Sequence, residues 1–236
     1  MANIRVSGMR QGDDIRHTVV RRFVSASLLG ACLTLSVSLS AWAGAQKYEP
    51  LAASVKARMS KAVADAPINS DLYDRDPYLS AWVAEMSDRL IRYVPDEVVR
   101  LDLLKTVHYE ATRAGLDPEL ILGLMEVESG FRKYAVSSVG ARGFMQIMPF
   151  WADVIGTRDH NLFHLRTNLR YGCTILRHYL DIERGDLYRA LGRYNGSLGQ
   201  PQYPSAVHAA WRKHWTYGLT PVGLKSSKGK TVRKGT

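Results

Sequence analysis

The chain has 236 residues, 46% of them apolar, with 32 Lys and Arg against 22 Asp and Glu, a formal net charge of +10 and two cysteines. These figures exclude a disulfide-dense miniprotein, a collagen-like repeat and a wholly disordered acidic chain, and they leave one ordinary domain with appendages. The basic excess points to anionic partners, such as nucleic acid, a membrane surface or an acidic polymer. No zinc finger, RNP pattern or long basic-aromatic interleave supports nucleic acid.

Residues 1–22 are polar and basic and end in Arg21 and Arg22, whereas Phe23 to Ala45 carries no charge and is rich in Leu, Val, Ala and Ser. Small residues in Ala41-Trp42-Ala43 and Ala43-Gly44-Ala45 suit a signal peptidase, so residues 1–43 read as an export signal with a long polar start that an internal Met9 would shorten. Two alternatives stay open. The uncharged stretch is long enough for an uncleaved anchor, and Leu29-Gly30-Ala31-Cys32 resembles a lipoprotein processing box. Cleavage after Ala43 removes five basic and two acidic residues, lowering the charge from +10 to +7, and leaves Cys173 as the one thiol. An exported chain without an internal disulfide depends on a packed core. Export also makes nucleic acid the weakest of the anionic partners, and the expected destination is the periplasm of a Gram-negative bacterium.

Residues 44–77 read as a helical lead-in, Glu49 to Ala66, followed by a polar linker, Pro67 to Pro77. Residues 78–217 form the expected folded domain. Apolar spacing predicts helices over 78–94 and 97–114, the second carrying Val99, Leu103, Val107 and Ala111, with Pro95 and Asp96 as a break and Gly115 as a stop. Asp117 before Pro118 is a strong helix start, because Asp caps exposed amides and Pro at the first position loses no bond. That helix is predicted from Pro118 to about Ser129. Gly130 to Gly143 reads as an irregular segment or short hairpin, and a short helix is expected from about Phe144. Further helices are expected over 166–183, 186–195 and 204–216, the last begun by Pro204 and Ser205. Cys173 falls on the apolar stripe of Leu169, Gly172, Leu176 and Leu180, which predicts a buried structural thiol. Residues 218–236 are Gly/Ser/Lys-rich and read as a flexible basic tail.

The chemistry is most legible at Glu128. At 100° per residue, Leu124, Ile121 and Met125 lie within about 60° of it, so Glu128 sits in the middle of the apolar stripe while Glu119 and Glu126 fall on the other face. Desolvation disfavours the charged form, so this carboxyl is a candidate proton donor near neutral pH. Periodicity alone also allows a Glu that emerges from the core as its helix ends.

The text around it narrows the choice. Glu128-Ser129-Gly130-Phe131, then Ala135-Val136-Ser137, then Gly140-Ala141-Arg142-Gly143-Phe144-Met145-Gln146-Ile147-Met148-Pro149 closely resembles the signature of the soluble lytic transglycosylase (SLT) family, lysozyme-like enzymes that cut the glycan of bacterial cell walls. Gly115 to Leu120, Asn168 to Gly172 and Tyr194-Asn195 fit the same pattern, so the resemblance covers roughly residues 97–216. It implies a mainly α (α+β lysozyme-like) fold, a compact helical catalytic domain with a central cleft and a short irregular or β-hairpin segment. It also implies that Glu128 is the catalytic acid, that Tyr194 and Asn195 position it and the substrate, and that Ser137, Gln146, Met148 and Gly143 belong to the sugar-binding cleft. Residue by residue, other roles stay open: Met145 and Met148 as core, Gly143 as a turn, Asn195 as a helix cap, and Trp151 as a sugar platform or core.

Arg193, Gly196-Ser197, Phe144 and Phe150-Trp151 depart from the family's usual text without removing a proposed catalytic side chain. The resemblance implies a mechanism needing one carboxyl, without cofactor or metal. Glu128 protonates the oxygen between N-acetylmuramic acid and N-acetylglucosamine, then acts as base toward the muramyl 6-hydroxyl, giving a 1,6-anhydromuramyl end. The alternatives are a hydrolytic muramidase and a non-catalytic protein of wall binding or secretion assembly. Expected partners are peptidoglycan strands and, further off, envelope or secretion machinery, with a monomer as the default. His160 and His164 lie four apart but lack the company of a zinc motif, and no phosphate loop or dinucleotide fingerprint is present.

Overall fold

The computed structural model describes residues 46–64, 68 and 71–218. The expected signal segment 1–43 and all but the first residue of the 218–236 tail lie outside the described residues. The architecture is helical: α1 (Ala53–Val63), α2 (Leu72–Arg75), α3 (Pro77–Leu90), α4 (Glu97–Arg113), α5 (Pro118–Ser129), α6 (Phe150–Ile155), α7 (Leu165–Ile182), α8 (Leu187–Asn195) and α9 (Gln202–Ala210), the last running into a π-helical turn, Trp211–Trp215. No described helix is long and apolar enough to cross a membrane.

Acidic caps begin the helices that matter. Asp76 accepts from the amides of Tyr78 and Leu79, Asp96 from Val99, Asp117 from Glu119 and Leu120, and Asp186 from Arg189, satisfying donors that the helix itself leaves orphaned. Gly130, in the left-handed region at φ 57°, closes α5, a conformation that costs glycine least.

α5 lies at the centre, packed against α4, α9 and the π-helical turn. The approach is close enough that a Cβ on Gly123 would stand 2.7 Å from the Trp211 amide nitrogen. On α4 the expected stripe is buried at Leu103, Val107 and Ala111, but Val99, in the first turn, is 50% exposed. α7 carries the predicted apolar stripe into the core, with Cys173 buried and its thiol pushed well up by desolvation. The lead-in differs from a free arm on a linker. Met59 and Val63 are buried, α1 packs on α6 and α7, and the expected linker contains α2.

Between α5 and α6 the chain makes three short antiparallel passes joined by the bridges Val136–Arg142 and Arg142–Ile147. The short helix expected from Phe144 begins instead at Phe150. Gln146 takes φ 51° and the Met145 amide is given to the Asn168 side chain, so residues 143–146 fold as a turn and Ile147 pairs back with Arg142. The last helix starts two residues before the expected Pro204, at Gln202.

Candidate active site

Glu128 occupies the last turn of α5, where the apolar stripe brings it 2% exposed to the floor of a groove of about 590 Å³. The three-pass segment and the turn after α3 form the walls, contributing Ser137, Gln146, Phe131 and Tyr93. Tyr134 also lines the groove and is 72% exposed. Glu128 is the one carboxyl lining the groove among the described residues, and Arg132 and Lys133 are its cationic neighbours there.

Desolvation raises the Glu128 carboxyl from 4.5 to about 8, opposed in part by the Tyr203 hydroxyl, which donates to Oε1 at 2.5 Å. Its other oxygen, Oε2, is buried without a hydrogen-bond partner among the described residues. The result is a protonated carboxyl at neutral pH, with one oxygen fixed and one uncommitted. The two other glutamates of α5 are committed elsewhere: Glu119 accepts from the Trp82 indole at 2.9 Å, and Glu126 accepts from Tyr93 at 2.9 Å and from the Trp215 indole at 2.7 Å. Neighbouring carboxyls on one helix thus receive different environments.

Tyr194 is buried and close enough to Glu128 for the carboxylate to help raise its phenol, after burial itself. Its hydroxyl, however, donates to the Met145 carbonyl at 2.8 Å. The hydroxyl that holds Glu128 belongs to Tyr203, on the first turn of α9, and sequence reading missed it. Gln202-Tyr203-Pro204 carries no motif of its own, and the pairing spans 75 positions.

The remaining expected residues divide by what they touch. Ser137 lines the groove while its Oγ accepts from the Ala141 amide at 3.0 Å. Gln146 also lines it, and its Nε2 donates to the Ala135 and Gly143 carbonyls at 3.2 and 3.0 Å, so the amide braces the three-pass segment. A non-glycine residue at positive φ in such a site is strain retained by its surroundings. Gly143 at φ 76° admits Asn168: a Cβ there would meet Asn168 Nδ2 at 2.4 Å. Asn168 receives the Met145 amide and donates to the Arg142 and Leu162 carbonyls. Met145 fills the space over Gly172, whose Cβ would meet its sulfur at 2.3 Å. Asn195 is buried at the end of α8 beside the left-handed Gly196 cap.

Met148 is half-buried and meets a residue from the lead-in. Gln46 Oε1 accepts from the Met148 amide at 3.4 Å and from the Trp151 indole at 2.9 Å, and its side chain also reaches the Tyr194 hydroxyl. Trp151 is buried, so its ring is core and not an open platform. Among the described residues no three His, Cys, Asp or Glu side chains converge in a way that would hold a metal ion.

A single protonated carboxyl under a groove, fixed by a buried tyrosine, makes a candidate acid–base centre in a helical domain. Comparison with known proteins bears on that domain: residues 105–208 match the family described as the Transglycosylase SLT domain. The chain is similar to a transglycosylase of Enterobacteria phage PRD1, 33% identical over 99 residues that cover 42% of this chain and 36% of the phage protein. It is also similar to the membrane-bound lytic murein transglycosylase C of Actinobacillus pleuropneumoniae, 51% identical over 53 residues, 22% of this chain and 14% of that protein. Both matches span well under two thirds of the relatives' own length. The X-ray structure of the lytic transglycosylase Slt from Pseudomonas aeruginosa aligns with 72% of this chain and 35% of its own at 18% identity, with a TM-score of 0.38.

Proposed function

We propose that the protein is a lytic transglycosylase that cleaves the bond between N-acetylmuramic acid and N-acetylglucosamine in peptidoglycan, with Glu128 as acid and then base. The observation that carries this reading is the Glu128 carboxyl, raised to about 8 at the floor of the groove, with Tyr203 on Oε1 and Oε2 uncommitted. The proton passes from Glu128 to the glycosidic oxygen as that bond breaks. The carboxylate left behind takes the proton of the muramyl 6-hydroxyl as its oxygen closes on the anomeric carbon, so the carboxyl is restored and no water is consumed. An attached nucleophile draws on proximity, and a donor with a pKa near the working pH suits both halves of the cycle. Hydrolysis usually employs two carboxyls, so the absence of a second one lining the groove among the described residues favours the one-carboxyl route.

Tyr194 and Asn195 support the centre through Met145 and the end of α8, Ser137 and Gln146 line the groove, Gly143 braces it by making room for Asn168, and Met148 lies outside its lining, against Gln46. Action on murein calls for export to the periplasm, in keeping with residues 1–43, and the substrate strand is the expected partner. The test is mass analysis of isolated murein digested by the wild type and by Glu128→Gln. Products one water lighter than hydrolytic fragments, made by the wild type and not by the variant, are expected. Reducing muramyl ends would favour a hydrolytic muramidase, and binding without cutting by either protein would favour a wall-binding role.

A further inference from the structure

While Glu128 holds its proton the floor of the groove is neutral, but the wall that follows α5 is not. Arg132 and Lys133 both line the groove, both are exposed, and neither has an acidic partner among the described residues. Burial and the Tyr203 hydroxyl set the titration of Glu128, with neither cation contributing. The two positive charges are therefore available to something other than the acid.

The backbone that presents them is fixed at both ends. The Arg132 amide and Nε both donate to the Ser129 carbonyl, at 3.3 and 2.8 Å, and the Ala135 amide donates to the Arg132 carbonyl at 3.2 Å. The Ala135 carbonyl in turn accepts from the Gly143 amide at 2.9 Å and from Gln146 Nε2 at 3.2 Å. With Nε committed, the Arg132 guanidinium is oriented, and its terminal nitrogens have no partner among the described residues. A fork set in advance loses less freedom when it meets a carboxylate. Tyr134, next in the same turn, lines the groove with 72% of its surface in solvent. The Phe163 ring stands 5.9 Å from it, centroid to centroid, and the Lys133 ammonium 5.3 Å from its centroid. An exposed aromatic side chain steadied beside a groove offers a surface to the apolar face of a sugar ring.

We propose that the turn Arg132–Tyr134 makes the groove selective for glycan whose muramyl side arm bears a free carboxylate, with Arg132 and Lys133 pairing to that carboxylate and Tyr134 lying against the sugar. That the occupant is a wall glycan rests on the function proposed above, whereas the demand for charge on it rests on these two cations. A strand with its carboxylates converted to amides would leave both unanswered. The carboxylate has two sources, the lactyl group of bare N-acetylmuramic acid and the peptide attached to it.

The experiment is isothermal titration of the full chain carrying Glu128→Gln, so that binding is read without cutting. Three probes are compared: a tetrasaccharide of alternating N-acetylglucosamine and N-acetylmuramic acid with free lactyl carboxylates, the same compound as its neutral methylamide, and the same compound bearing stem peptides. The bare acid or the peptide-bearing form should bind at least about fivefold more tightly than the methylamide, with the advantage shrinking as salt is raised. Adding Arg132→Gln/Lys133→Gln should abolish that preference, and adding Tyr134→Ala should weaken all three probes by about fivefold. All three side chains are exposed, so these variants should melt with their Glu128→Gln parent. An advantage for the bare acid assigns the carboxylate to the lactyl group, and an advantage for the peptide-bearing form alone assigns it to the peptide. Equal affinity for all three probes, a preference that survives the double variant, or affinity unmoved by Tyr134→Ala would overturn the proposal. Binding of none of the three would overturn it together with the glycan reading, a result distinct from equal binding of all.

Discussion

Replacing Glu128 by Gln should stabilise the protein at neutral pH by an amount that grows with pH. The folded carboxyl titrates at about 8 and the unfolded one near 4.5, so between those values the native state holds a proton that the unfolded chain has released. Raising the pH through this window therefore favours unfolding. At ~1.36 kcal/mol per pH unit the loss reaches about 5 kcal/mol by pH 8 and about 3 kcal/mol at pH 7, a large part of a typical domain's stability. Gln keeps the size of the side chain and an oxygen for the Tyr203 hydroxyl, but it does not titrate. The variant should match the wild type near pH 4 and exceed it progressively to pH 8. Urea unfolding of both proteins from pH 4 to pH 9 measures this directly, and subtraction cancels every other titrating group. A stability difference that stays constant across that range would refute the buried, protonated carboxyl and with it the proposed acid.

Tyr203→Phe removes the donor that lowers Glu128, so the carboxyl should rise further and the descending limb of the pH–activity curve should move to higher pH, with a loss of roughly 1–2 kcal/mol in stability; an unmoved limb would count against the pairing. Asn168→Ala leaves the Met145 amide and the Arg142 and Leu162 carbonyls without their partner. A loss of about 3 kcal/mol or more is expected in thermal unfolding, with a weaker glycan affinity because Gly143 and Gln146 lose their brace.

The parts of the fold written in short-range chemistry were legible in advance. Asp117, Pro118 and Gly130 mark both ends of α5, and the apolar stripe around Glu128 places that carboxyl in the interior before any tertiary contact is considered. The misplacement of α6 has a tertiary cause. Phe144 to Met148 reads as helical text, but Asn168 captures the Met145 amide from 23 positions away and Gln146 is held at positive φ, so the helix waits until after Pro149. Tyr203 was hidden for a related reason. Its bond to Glu128 depends on α9 crossing α5, a crossing permitted by the missing side chain at Gly123, where an added Cβ would stand 2.7 Å from the Trp211 amide nitrogen. That mid-helix glycine was the one sequence hint of the crossing. Tyr194 stood in the matching motif and lies near the carboxyl, yet spends its hydroxyl on the backbone of Met145.

Gln46 ties the lead-in to α6 through the Trp151 indole, across 105 positions of sequence. A shortened chain beginning at residue 78 would take from that indole its one hydrogen-bond acceptor among the described residues, and would strip from α6 and α7 the helix that buries Met59 and Val63 against them. Assays of this protein should therefore retain the lead-in whole.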